Sequence, residues 1–189
     1  EMCIRDSSPG KPWKNGPVPE DKAIYGLGPI EITVSYFEDF KQLLENVYGM
    51  RTIMNEEDVA LLEVGEGGNG GQVILRKDSE RPVAVQGYGE VHHASFKVKD
   101  HEAIEHWIQK YQELGIPNSG LVDRFYFEAL YARIGHILLE ISTDGPGFMG
   151  DEPYETLGEK LSLPPFLEEQ REAIEAQVRP FDTTGKSYK

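Results

Sequence analysis

One cysteine is all that this chain of 189 residues carries. It makes no internal disulfide, so a reducing compartment, the cytoplasm, is expected. No apolar run nears the ~20 residues that a bilayer span needs, and no secretory signal pattern is present. Basic residues are also scarce: 19 Lys and Arg stand against 33 Asp and Glu, a formal charge of −14. Without a Lys/Arg stripe the chain offers nothing to a phosphate backbone, and neither nucleic acid nor membrane is expected as a partner. What is there, 39% hydrophobic and 28% charged residues, suits one ordinary domain or two small modules sharing a core.

Glu1 to Ser7 shows no periodicity, and Met2-Cys3-Ile4-Arg5-Asp6-Ser7 resembles the translation of a transposase mosaic-end adaptor. On that reading Cys3 is foreign and the chain opens mid-gene. Residues 1–22 are then an adaptor-like start and a Pro/Gly-rich linker, expected to be disordered. A domain over 23–150 follows, and 151–189 form an acidic tail with a short helix over Leu167 to Val178.

The domain repeats one unit, with modules at about 24–80 and 88–148. In the first, Pro29 to Ser35 alternates like a half-buried strand, and Phe37, Phe40, Leu43, Leu44 and Val47 stripe a helix that stops at Gly49. Strand candidates follow at Met50 to Met54, Ala60 to Val64 and Gln72 to Arg76. In the second, Val91 to Val98 reads as a strand, and Ile104, Trp107, Ile108, Tyr111 and Leu114 stripe a helix ending at Gly115. Strand candidates follow near Ile116 to Val122, Phe125 to Arg133 and His136 to Ser142. Val34 matches Val98 and Leu43 matches Trp107 at a spacing of 64 residues. The fold class is therefore α+β: two tandem βαβββ modules forming a curved mixed sheet with a concave cavity, plus an acidic C-terminal helical tail.

Period-two geometry locates candidate chemistry. If Ala94, Phe96 and Val98 face the helix, His93 and Ser95 face away from it. If Ile137, Leu139 and Ile141 face the helix, Glu140 joins His93 on the concave side. A carboxylate inside Ile-Leu-Leu-Glu-Ile needs a cation or a donor. Arg124 and Arg133 are near enough to pair with it. A converging His and Glu are also two legs of a two-His, one-carboxylate triad, which suits non-haem Fe(II) and leaves positions open for substrate and dioxygen. The first module lacks these groups, because Pro29 stands opposite His93 and Ile74 opposite Glu140.

Paired strand-helix-three-strand units are similar to those of the vicinal oxygen chelate superfamily, which includes glyoxalases and extradiol dioxygenases. Val91-His92-His93, Val122-Asp123-Arg124, Leu130-Tyr131 and Leu139-Glu140-Ile141 resemble the hydroquinone-cleaving dioxygenases. Thr143-Asp144-Gly145-Pro146-Gly147-Phe148, Asp151-Glu152-Pro153, Leu157-Gly158-Glu159 and Leu163-Pro164-Pro165-Phe166-Leu167 continue the match, over about Ala23 to Glu169. The resemblance implies iron ligands at His93 and Glu140 and a pocket-shaping His92. It implies that Arg124 and Tyr131 hold substrate oxygens and assist proton transfer. Phe125 and Phe127 are expected to share the Tyr131 face.

By the same resemblance the cofactor is Fe(II), with Mn(II) as second choice, O2 is co-substrate, and a small aromatic of the hydroquinone or catechol kind is cleaved. The family is longer, and an N-terminal domain supplies its third ligand. No such strand precedes Trp13, so a missing N-terminal domain or a partner copy is expected to complete the site. The family's Pro-Gly-Gly turn is here Ile134-Gly135-His136, and His136 reads as a turn-exposed histidine, with a ligand role as the alternative. Two other functions share the fold: a glyoxalase-like metal-dependent lyase or thiol transferase, and a metal-free aromatic-binding module.

Overall fold

A computed structural model of the chain describes residue 12 and residues 18–180, apart from 69 and 86. The adaptor-like start, Cys3 and Trp13 lie outside the described residues.

Each module builds a four-stranded sheet of its own. In the first, β1 (Ile30–Val34), α1 (Phe37–Asn46), β2 (Arg51–Asn55), β3 (Val59–Glu63) and β4 (Gln72–Lys77) give the sheet order β1-β4-β3-β2. In the second, β5 (Ala94–Lys97), α2 (His101–Glu113), β6 (Val122–Asp123), β7 (Glu128–Ile134) and β8 (Ile137–Ser142) give β5-β8-β7-β6. In both, the first strand runs parallel to the last and the remaining pairs are antiparallel.

The helices end where their glycines permit. Gly49 and Gly115 adopt φ of 69° and 67°, a region that costs a residue with a Cβ. Each is followed by a backbone bond back across the last turn, Met50 N–H to the Leu44 carbonyl and Ile116 N–H to the Tyr111 carbonyl. This closure satisfies carbonyls that the helix leaves free. At the other end of α2, Asp100 accepts from the Ala103 N–H at 3.1 Å, a side-chain cap on an unpaired donor.

One core serves both modules. Ile32, Leu75, Phe40 and Leu44 of the first join Phe96, Leu139, Ile141, Ile104 and Trp107 of the second in a continuous buried cluster. Tyr48, just past α1, is the joint. Its ring centroid lies 5.3 Å from those of Phe96 and of Trp107, and its hydroxyl is 2.6 Å from that of Tyr111. Burial pushes the Tyr111 phenol up to about 12 and raises that of Tyr48 further, so both remain neutral and one hydroxyl donates to the other. Lys110 crosses the same seam, donating to the Val47 carbonyl.

Two expectations are corrected. Arg124 to Phe127 is a turn between β6 and β7, and Phe125 stands at φ 68° with its N–H bonded to Asp123 Oδ1. Phe125 and Phe127 are therefore not strand neighbours of Tyr131. The tail helix is shorter than its pattern: a 3-10 segment covers Pro165–Gln170, and α3 covers only Arg171–Glu175. Pro164 and Pro165 stand at the start of the 3-10 segment, where a fixed φ suits a first turn and the missing N–H groups have no intrahelical use. Among the described residues, no helix is long and apolar enough to cross a membrane.

Candidate active site

The site rests on strand register. Ser95 of β5 lies opposite Glu140 of β8, and Tyr131 of β7 lies opposite the same Glu140. Three side chains thus stand in a row across three strands, on the face away from α2. The first module has the same register, with Glu31 opposite Ile74 and Leu61 opposite Ile74. There the row reads Glu31, Ile74, Leu61, and Glu31 turns to Arg76 at 3.1 and 3.2 Å. The duplication copies the scaffold and leaves the polar row to one half.

His93 immediately precedes β5, and its Nε2 approaches Glu140 Oε2 at 2.9 Å. Glu140 is 3% exposed, yet that Oε2 has no hydrogen-bond partner; the approach to His93 lacks hydrogen-bond geometry. A buried carboxylate oxygen left in this state costs free energy unless something positive meets it. The alternative of an arginine partner is not realised. Arg124 donates from Nε and Nη2 to the Tyr131 hydroxyl, each at 3.3 Å, and Arg133 donates to the His136 carbonyl. An imidazole nitrogen beside an unpartnered carboxylate oxygen is a donor set that fits a borderline divalent cation. Among the described residues, no group of three or more His, Cys, Asp or Glu forms a complete metal cage.

His92 sits behind His93, with the two Nδ1 atoms 2.9 Å apart and the rings edge to face. On the other side the His93 ring meets Tyr131 edge-on at 5.9 Å. Burial raises the Tyr131 phenol above its usual range; the Arg124 contact opposes this, and the nearby Glu140 carboxylate adds to it. Two guanidinium N–H groups donate to its oxygen, and its own proton is within reach of the Glu140 carboxylate. All five residues singled out from the sequence are therefore contiguous, in the order His92, His93, Glu140, Tyr131, Arg124.

His136 is not an exposed turn histidine. Its N–H donates to the Tyr36 hydroxyl at 3.2 Å, that hydroxyl donates to the Ile134 carbonyl at 2.9 Å, and the Tyr36 and His136 rings meet edge-on. Tyr36, from the first module, thereby fastens the hairpin turn that leads into the Glu140 strand. A cleft of about 230 Å³ opens between β1 and the start of β5, and His92, His93, Arg133 and His136 line it. The sequence reading did not assign Ser95, although alternation had placed it on the right face. Its hydroxyl donates to Glu140 Oε1 at 3.2 Å and lies 2.8 Å from Ser142 Oγ.

No family model matches the sequence. Over 177 residues it is 42% identical to "Putative ring-cleaving dioxygenase MhqA" of Bacillus subtilis, covering 90% of this chain and 56% of that protein. It is 28% identical over 167 residues to the chlorohydroquinone/hydroquinone 1,2-dioxygenase of Sphingobium indicum, covering 84% of this chain and 50% of that one. A crystal structure of a "putative dioxygenase" from Bacillus subtilis superposes with a TM-score of 0.80 at 35% identity, covering 92% of this chain and 56% of that one. A lactoylglutathione lyase from Agrobacterium tumefaciens shares the fold at 14% identity, with a TM-score of 0.51 over 65% of this chain and 96% of its own. The chain spans about half the length of the curated relatives it matches. By sequence this chain is thus a homologue of proteins named ring-cleaving dioxygenases, and by structure it has the fold of the glyoxalase/bleomycin resistance/dioxygenase proteins.

Proposed function

We propose that this chain is the C-terminal, metal-bearing part of a cytoplasmic, Fe(II)-dependent extradiol-type dioxygenase that opens the ring of hydroquinone- or catechol-type aromatics. The observation that carries this is the unpartnered, buried Glu140 Oε2 beside His93 Nε2, on one face with the Arg124–Tyr131 pair. The single cysteine supports the compartment and the relatives' names support the reaction class.

Bound there, Fe(II) supplies the redox centre at which the aromatic substrate and O2 react. His93 would hold the metal through Nε2 and Glu140 through Oε2; the His93 proton would then sit on Nδ1 and donate to His92 Nδ1, fixing the ring's tautomer and angle. Arg124 holds a substrate oxygen as phenolate by charge-assisted bonding. The Tyr131 hydroxyl, already accepting from Arg124, donates its proton to an oxygen that develops charge as the ring opens. The third metal ligand would come from a partner, either the remaining length that the relatives have or a second copy of the chain.

The test is iron content and oxygen consumption after anaerobic Fe(II) loading, with methylhydroquinone as substrate, for the full chain alone and mixed with the matching N-terminal part of a relative. Stoichiometric iron and oxygen uptake, both lost in Glu140→Ala and His93→Ala, are expected. Binding of Zn, Ni or Mn with no oxygen uptake would move the protein to the lyase or transferase class. Aromatic binding unaffected by His93→Ala, without metal, would leave a binding module.

A further inference from the structure

We infer that Ser95 is a positioning residue for Glu140: it fixes one carboxylate oxygen so that the other is presented to the metal. The inference rests on the reading of Glu140 as a metal ligand. Four observations carry it. Register places Ser95 directly opposite Glu140 on the parallel neighbouring strand. The Ser95 hydroxyl donates to Oε1 at 3.2 Å, while Oε2 is the oxygen without a hydrogen-bond partner. The two oxygens of one buried carboxylate are therefore treated differently by the protein. Ser95 also lies 2.8 Å from Ser142 Oγ.

A hydroxyl has one proton to give and lone pairs to receive. Because Ser95 directs its proton to Glu140, it accepts from Ser142, and the chain runs Ser142 to Ser95 to Glu140 in one direction. Such a relay pins the carboxylate plane about χ3, a torsion that is otherwise broad. With Oε1 held, Oε2 faces His93 Nε2 at 2.9 Å, as two ligands of one ion must face a shared point. The fold itself does not require this serine. At the equivalent place in the first module stands Glu31, opposite Ile74, and it pairs with Arg76 instead. Residues that orient ligands in this manner are worth 10–100-fold in metal affinity.

The experiment titrates the full chain with cobalt(II) alone and reads its visible absorption, which reports ligand geometry without turnover, and compares metal-free crystal structures. Ser95→Ala is expected to weaken cobalt binding about 10–100-fold and to alter the absorption envelope. Ser95→Thr, which keeps the hydroxyl, is expected to restore both. In the metal-free Ser95→Ala crystal, the Glu140 carboxylate is expected to rotate so that Oε1 finds another donor. A carboxylate left unmoved in that crystal overturns the inference, as does cobalt affinity within about twofold of the parent. If Glu140→Gln binds cobalt as the parent does, the ligand reading itself falls and takes the inference with it. If Glu140→Gln abolishes binding while Ser95→Ala does not weaken it, the inference alone falls.

Discussion

Gly135→Ala tests the clamp that one module places on the other. Gly135 sits at φ 61°, and a Cβ added there would lie 2.5 Å from Tyr36 Cζ and closer still to its hydroxyl. Alanine in this backbone region costs about 1 kcal/mol on its own. Relieving the contact moves the Tyr36 hydroxyl off the Ile134 carbonyl and the His136 N–H, two hydrogen bonds at about 1 kcal/mol each. The sum is about 3 kcal/mol, a fall in melting temperature of roughly 10 °C for a chain of this size. In a Tyr36→Leu background both hydrogen bonds and the contact are already gone, so the same change should cost only its backbone share, about 1 kcal/mol. Urea denaturation of the four proteins gives the coupling directly. Equal costs in the two backgrounds would refute the clamp, and a loss under about 1 kcal/mol in the parent would refute the geometry.

At the module seam, Tyr111→Phe should destabilise by about 1–3 kcal/mol, because it leaves the buried Tyr48 hydroxyl without its partner. The Tyr48→Phe, Tyr111→Phe double variant should recover part of that loss in the same denaturation assay. His101 Nδ1 lies 2.9 Å from both oxygens of Glu128, which raises the pKa of the imidazole above 6.5. The stability it contributes is full below the unfolded value and is lost as pH rises through the folded one. The urea midpoint of the parent should therefore drop relative to His101→Gln as pH climbs from 6 to 8, and parallel curves would contradict this. In the proposed reaction, Tyr131→Phe should lower kcat roughly 10²–10⁴-fold, with iron content unchanged. Arg124→Met should raise KM as well, read in an oxygen electrode; loss of iron in either variant would mean a structural role.

Alternation made His93, Ser95 and Glu140 legible as one face, because a strand's period of two needs no knowledge of its neighbours. The repeat then carried the register from one module to the other, with Glu31 and Ser95 64 residues apart and Ile74 and Glu140 66 apart, and the parallel pairs Glu31–Ile74 and Ser95–Glu140 have it. Glycines at 49 and 115 marked both helix ends through a backbone requirement that is local to the residue. The misreadings lie where local signals conflict with distant ones. Phe125 and Phe127 look like strand residues by composition, yet Asp123 bonds the Phe125 N–H and turns the chain. His136 was read as exposed because its partner, Tyr36, is 100 residues away and in another module. The bond from Ser95 to Glu140 depends on which rotamers meet across a strand pair, which spacing alone does not specify.

The Tyr36 clamp makes the first module answerable for the geometry of the second. Its hydroxyl holds the turn from which β8 departs, and Tyr48 joins the two halves of the shared core. Inheritance of function in such a duplicated fold is then asymmetric. One copy carries Ile74 and Leu61 where the other carries Glu140 and Tyr131, yet its shape still counts, because Tyr36 holds the turn that leads into the strand bearing Glu140. Lesions in the first module would then register at Glu140, through the turn that Tyr36 holds.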